Sequence, residues 1–293
     1  MRASPRLVVP GSVEQAVDLL AREQGDAMVV AGGTAVSLML YHGLVSPSAL
    51  VILSHLPGLR EIARVDGIVR LGALVTHAEV VRSETIRREL PLLGTTFGVV
   101  ANHRVRAAAT VGGVLAEADY ASDPPATLWA LDATAVVASP SGERRLPVAE
   151  LATGYYETSL GPGEIITAIE IPVPPPGTCG EYLKYRSTAS EDRPCVGVAA
   201  LVRRGSDGMC ADVRVCVGAA SATPVRLEQV ERSACGQPLD AEAAERIGDA
   251  YAAAITPISD VRGSAWYRRE MIRVLVSRAL IRCGSSERET YEL

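Results

Sequence analysis

The sequence predicts a two-part α+β protein, and three observations carry that reading. Strand-like and helix-like segments alternate over the first sixty residues, the stretch Pro172 to Gly177 holds four prolines, and an antiparallel-looking run followed by two long helical segments closes the chain. The proline-rich stretch is the clearest linker and marks the main boundary.

The first segment, Arg6 to Val9, is short and apolar enough for a strand. Ser12 with Gln15 three residues later forms a capping-box pattern ahead of an amphipathic helix to Gln24, whose apolar face is Val13, Ala16, Val17 and Leu20. Ala27 to Val30 is the next strand, and Leu50 to Leu53 another, between Pro47 and Pro57-Gly58. Short strands at Glu61 to Val65 and Ile68 to Leu71 precede helices at about Thr76 to Ser83 and Pro91 to Val100. A further strand is expected before Thr110. A helix should start at Pro124-Pro125, and strands at Thr134 to Ser139 and Ile165 to Ile171 enclose a turn-rich stretch. Beyond the linker, Glu181 to Arg186, Cys195 to Arg203 and Asp212 to Gly218 form a meander, with a turn at Gly205 to Gly208. Helices at Ala241 to Ala254 and Ser264 to Arg282 follow. The domains are therefore set at 1–175, with subdomains of about 1–57 and 58–175, then 178–287 and a tail at 288–293.

Of the 293 residues, 48% are hydrophobic and 22% charged, as in globular chains, and with only 4% aromatics the core must be aliphatic. A net charge of −5 offers no basic face for nucleic acid, and no apolar run suits membrane insertion. The N-terminus lacks a signal-peptide apolar region, and six cysteines without a C-x-x-C pair read as thiols in a reducing cytoplasm rather than metal ligands.

Two glycine-rich elements stand out: Ala31-Gly32-Gly33-Thr34 and Thr110-Val111-Gly112-Gly113. Paired glycines let backbone N–H groups converge on an anion, so together the elements suggest a diphosphate cradle, although each alone also reads as a turn. Neither fits the usual nucleotide fingerprints. Arg104 and Arg106 precede the second element, where positive charge favours a diphosphate. Asp119, Ser122 and Asp123 crowd the following loop. Ser122 or Asp123 reads equally as the cap of the helix at Pro124, and Asp123 as an acceptor for a polyol. The four histidines show no metal spacing and read as structural. No catalytic nucleophile or acid–base constellation is present, so the chain looks like a cofactor carrier.

The runs Ala31 to Thr34, Arg106 to Gly113, Ala118 to Ala126 and Tyr156 to Pro172, then Lys184-Tyr185-Arg186 with Asp192, Gly218 to Arg226 and Tyr267 to Leu280, resemble the FAD-binding medium subunit of molybdenum hydroxylases of the xanthine and carbon monoxide dehydrogenase type. The resemblance covers nearly the whole chain. It implies the FAD-binding fold of the vanillyl-alcohol oxidase (PCMH) type in two subdomains, with a C-terminal antiparallel sheet and helices like those of CO dehydrogenase flavoprotein.

By the same resemblance FAD is held noncovalently. Ala31, Gly32, Gly33, Thr34, Ala35 and Val36, with Thr110 to Gly113, wrap its diphosphate, Asp123 binds the ribityl or flavin region, and Lys184 approaches the isoalloxazine. The implied partners are a molybdopterin-binding large subunit and a [2Fe-2S] small subunit, with a dimer of heterotrimers common among relatives. FAD would pass electrons from the clusters to an external acceptor. Ala35, Ala107, Val114 and Arg104 depart from the family's usual residues, removing side-chain hydrogen bonds while leaving the glycine backbone. Those departures keep two alternatives open: an autonomous FAD-dependent oxidoreductase, and a scaffold that has lost FAD. If the glycines are ligand contacts, Gly32→Val or Gly113→Val should exclude FAD with little loss of folding. Lys184→Ala should keep FAD and lower its potential.

Overall fold

The computed structural model describes residues 4–187 and 192–284. The expected tail at 288–293 and the first three residues lie outside the described residues. The elements in chain order are β1 (Arg6–Val8), α1 (Val13–Glu23), β2 (Ala27–Val30), α2 (Val36–Tyr41), β3 (Ala49–Ile52), β4 (Ile62–Val65), β5 (Ile68–Gly72), α3 (His77–Arg82), α4 (Glu84–Glu89) and α5 (Pro91–Gly98). They continue with α6 (His103–Ala108), α7 (Val111–Glu117), α8 (Pro124–Ala130), β6 (Thr134–Ser139), β7 (Gly142–Pro147), β8 (Ala152–Gly154), β9 (Glu157–Thr158) and β10 (Ile165–Pro172). The last are β11 (Thr178–Tyr185), β12 (Val196–Arg204), β13 (Cys210–Gly218), β14 (Val225–Arg226), α9 (Glu228–Ala234), α10 (Ala241–Ala254) and α11 (Ala265–Gly284). The class is α+β, as expected.

Two compact units divide the chain, and neither is contiguous. The first takes residues 1–89, 101–119 and 132–173, and the second takes 90–100, 120–131 and 174–293.

The first unit holds two main sheets. In the smaller, β1 and β2 flank β3 in parallel, the βαβ rhythm read from the sequence. Helix α1 forms where Ser12 accepts a hydrogen bond from the Gln15 N–H and Gln15 Oε1 accepts from the Gly11 N–H. It buries Ala16, Val17 and Leu20 with Val51, Leu53, Leu56, Leu59, Leu74 and Ile165. Each such aliphatic side chain contributes roughly 1.5–3 kcal/mol by leaving water. The larger sheet is antiparallel, in the order β4-β5-β10-β6-β7. Its outer strand β7 is almost entirely exposed except for Leu146. Arg144 and Arg145 hold it through bidentate bonds to Glu164 and Glu170.

In the second unit β11-β12-β13 form the expected antiparallel meander, extended by β14. Helices α10 and α11 pack on each other, and α11 also lies against β11 and β12. Their core is built from Val196, Val198, Val215, Ile247, Tyr251, Ile272, Val276 and Leu280 among others. Helix α8 packs against β12 and β13. Burial also takes in one cation: Arg268 is fully buried and donates to the carbonyls of Cys195 and Ala219 and to Asp260.

Candidate functional site

In the first unit, β2 delivers the chain to the first glycine element, and α2 carries it away. The residues Ala31 to Val36 are all half-buried. Gly33 has a φ of +73°, and nothing but the Ser37 hydroxyl and a Val30 methyl comes near the position of a side chain there. Its carbonyl accepts from both the Ser37 N–H at 3.0 Å and the Ser37 hydroxyl at 2.5 Å. The N–H groups of Gly33, Thr34, Ala35 and Val36 have no acceptor among the described residues, and Ala35 supplies no side-chain cap. A left-handed glycine whose own N–H and the three that follow it are such donors fits a diphosphate oxygen.

Gly32 is a glycine for another reason. A Cβ there would run into the carbonyl of Ala108 at the end of α6, so the first element lies directly against the start of the second. The expectation that Gly32→Val would spare folding is therefore corrected: the clash is with the protein's own backbone, before any ligand enters.

The second element does not follow a strand, as expected, but a helix. Asn102 accepts from the N–H groups of Arg104 and Val105 and starts α6, which ends at Ala109. Thr110 then caps α7, its hydroxyl accepting from the Gly113 N–H at 3.1 Å. The Val111 N–H donates to the Val75 carbonyl and the Gly112 N–H to the Ala73 carbonyl, each at 2.9 Å. Three donors that were expected to face a phosphate thus already have protein acceptors. A Cβ on Gly112 would sit 2.6 Å from the Ala73 Cβ, and one on Gly113 2.7 Å from the Thr110 hydroxyl. A hydroxyl that accepts one bond keeps its own proton to donate, so Thr110 retains one donor.

Arg106 is half-buried on α6 and donates to the Ala101 carbonyl at 2.9 Å. Asp119 is buried at the end of this part of the unit, after Ala118 turns the chain with a φ of +47°. His77, read as structural, is buried under the second element, and its main-chain N–H donates to the Ala109 carbonyl. Burial pushes its imidazole down to about 4, opposed by the Thr110 backbone and aided by the Arg106 charge.

In the second unit, Asp123 occupies the cap position of α8 but makes no capping bond. Its φ of −73° and ψ of −47° are already helical, which turns the carboxylate away from the first-turn N–H groups. Oδ1 accepts from the Tyr182 hydroxyl at 2.7 Å, and Oδ2 from Lys184 Nζ at 2.9 Å. Lys184 also donates to the Val99 carbonyl at 2.9 Å. Both charged side chains are 4% exposed, so the pair is a buried ion pair. Burial pushes the Asp123 carboxyl up, while Lys184 and Tyr182 pull it down. Ser122, half-buried, lies just ahead of α8. Tyr182, absent from the sequence reading, stands two residues from Lys184 on β11 and so shares its face. Its hydroxyl crosses the place where a Cβ on Gly197 would lie.

Among the expected site residues, the structure brings the 31–36 and 106–113 runs together within the first unit, and Asp123 with Lys184 within the second. Among the described residues no group of three His, Cys, Asp or Glu could hold a metal ion, and no helix is long and apolar enough to cross a membrane.

Known proteins agree with this architecture. The FAD binding domain family in molybdopterin dehydrogenase matches residues 3–174, and the CO dehydrogenase flavoprotein C-terminal domain matches residues 181–283. The 6-hydroxypseudooxynicotine dehydrogenase complex subunit alpha of Paenarthrobacter nicotinovorans is 33% identical over 97% of this chain and 96% of its own length. The carbon monoxide dehydrogenase medium chain of Afipia carboxidovorans is 32% identical over 93% of this chain and 94% of its own. A solved chain of reconstituted CO dehydrogenase from Oligotropha carboxidovorans superposes with a TM-score of 0.93 at 30% identity, covering 97% of this chain and 99% of that one. The chain belongs to the family of FAD-binding medium subunits of the molybdenum hydroxylases.

Proposed function

We propose that this chain is the electron-transfer subunit of a molybdenum hydroxylase complex, working in the cytoplasm beside a molybdopterin-binding large subunit and a [2Fe-2S] small subunit. A dimer of heterotrimers is the assembly we expect. Bound noncovalently, FAD would supply the redox chemistry that links the partner's clusters to an external acceptor, and this chain's part would be to hold it. The likeness to whole medium chains of such complexes supports this reading.

The single observation in this chain that carries the cofactor assignment is the run of backbone donors from Gly33 to Val36. In our reading Ala31 to Val36 take the diphosphate through main-chain N–H groups, so Ala35 removes no required contact. Thr110 adds its hydroxyl. Gly32 lets the two segments approach, Gly112 lets the second pack on Ala73, and Gly113 leaves room for the Thr110 hydroxyl. Arg106 adds positive charge close to the second segment, and Asp119 and Ser122 complete the polar loop. We assign the Asp123–Lys184 pair to the flavin portion, where Lys184 would act with its charge balanced by Asp123.

Native purification tests the proposal. The visible spectrum, the small molecule released on denaturation and the co-purifying proteins are recorded together. FAD with molybdopterin and iron–sulfur subunits is the expected result. FAD on a solitary chain that is bleached by a small organic substrate would replace the proposal with an autonomous flavoenzyme. A folded chain that refuses added FAD would overturn the cofactor assignment.

A further inference from the structure

Two of the six cysteines lie side by side at an edge of the second unit, far in sequence from every residue assigned above. Cys210 opens β13 and is 1% exposed, whereas Cys235 follows the last turn of α9 and is exposed. The backbone brings them together. Gly236, with a φ of +77°, turns the chain out of α9, and two main-chain bonds then clamp it to the strand. The Gly236 N–H donates to the Cys210 carbonyl at 2.8 Å, and the Cys210 N–H donates to the Gln237 carbonyl at 2.9 Å. These two bonds set Cys235, the residue before Gly236, beside Cys210, and the neighbouring Cys235 thiol adds to the burial that raises the Cys210 thiol. The Cys235 thiol also lies 3.6 Å from the Glu231 carbonyl one helical turn back, which orients it along α9.

We propose that Cys210 and Cys235 are an oxidisable thiol pair, in which exposed Cys235 meets hydrogen peroxide and buried Cys210 resolves the product as a disulfide. In the first step the Cys235 sulfur attacks one peroxide oxygen, the O–O bond breaks, and sulfenic acid and water form. In the second, the Cys210 sulfur attacks the Cys235 sulfur, the S–OH bond breaks, and a second water leaves with the Cys210 proton. Two electrons pass from the thiols to the peroxide. The difference in access sets the order of events, since an oxidant in water reaches Cys235 while Cys210 lies beneath it. Burial pushes the Cys210 thiol up to about 11, which keeps it protonated and protects it from direct oxidation. A disulfide here ties the end of α9 to the start of β13, and a reducing cytoplasm makes it transient.

The test treats the full-length chain with hydrogen peroxide, blocks remaining thiols with N-ethylmaleimide under denaturing conditions, and maps the peptides by mass spectrometry. Expected is a Cys210–Cys235 linked peptide, loss of two of the six thiols, and recovery of both on adding dithiothreitol. In Cys210→Ser the link disappears and dimedone traps sulfenic acid at Cys235. Cys235→Ser, a change at an exposed position, leaves Cys210 reduced under the same treatment and serves if the Cys210 variant does not fold. Oxidation of Cys235 to sulfinic acid in the unaltered chain with Cys210 still alkylated would overturn the proposal. So would a link from Cys235 to any other cysteine.

Discussion

The two glycine elements of the first unit look alike in sequence and differ in what their backbones do. From Gly33 to Val36 four consecutive N–H groups have no acceptor among the described residues, whereas those of Val111, Gly112 and Gly113 are used by Val75, Ala73 and Thr110. Their glycines differ too. Gly33 is required by its dihedral, and Gly32 and Gly112 by the close approach of another backbone. A glycine doublet therefore does not by itself mark a phosphate contact. What marks it is a donor that the fold leaves unspent.

The largest expected effect comes from Gly32→Ala. The new methyl meets the Ala108 carbonyl, and the cost should be upwards of ~3 kcal/mol of stability, read as a lower thermal midpoint in the absence of FAD. An unchanged midpoint would break the packing half of the comparison.

Next is acid. The native fold keeps His77 neutral down to about 4, against an ordinary value of 6.5, so the unfolded chain binds a proton that the native chain refuses between those values. Stability present above pH 6.5 should fall by ~3 kcal/mol as the pH drops to about 4. Denaturant midpoints across that range check it. His77→Met should remove this share of the slope, and a slope that persists undiminished would contradict the burial of the support under the second element.

Gly112→Ala, which presses on Ala73, should cost roughly 1–3 kcal/mol. Thr110→Val is smaller still, about 1 kcal/mol for the lost cap on the Gly113 N–H, with FAD weakened by only a few-fold through one missing hydroxyl donor. Circular dichroism melts and flavin titrations separate the two effects.

How legible all this was in the sequence depended on whether the signal was local. Helix α1 was readable because Ser12, Gln15 and four apolar residues at helical spacing sit within one short stretch. Strands β2 and β6 and helix α10 were equally clear from apolar pattern. Helix α6 was not. At six residues it is too short to show a period, and the strand expected there gave way to an Asn102 cap and an Arg-Val-Arg-Ala-Ala run suited to helix. Strand β7 was hidden by its own exposure, since Arg144 and Arg145 pair with acids about twenty residues away instead of entering a core. The ion pair of Asp123 and Lys184 bridges sixty-one residues, and no local pattern announces it. Tyr182 carried the one available hint, a hydroxyl two positions from Lys184 on the same strand face. The identity of the glycines was visible, but the acceptors that use up their N–H groups were not.

The buried pair also changes what Lys184→Ala should do. Removing the ammonium leaves Asp123 without its counter-charge in a 4% exposed position, so a loss of stability should accompany any change in flavin potential.

The most direct test of the central claim is a titration of FAD into the apo chain, comparing Gly33→Ala with Thr110→Val. Gly33→Ala should cost only about 1 kcal/mol of stability for its left-handed backbone yet weaken FAD tenfold or more, well beyond the loss in Thr110→Val. Wild-type FAD affinity in Gly33→Ala, or a larger loss in Thr110→Val, would contradict the account and move the diphosphate to the second element.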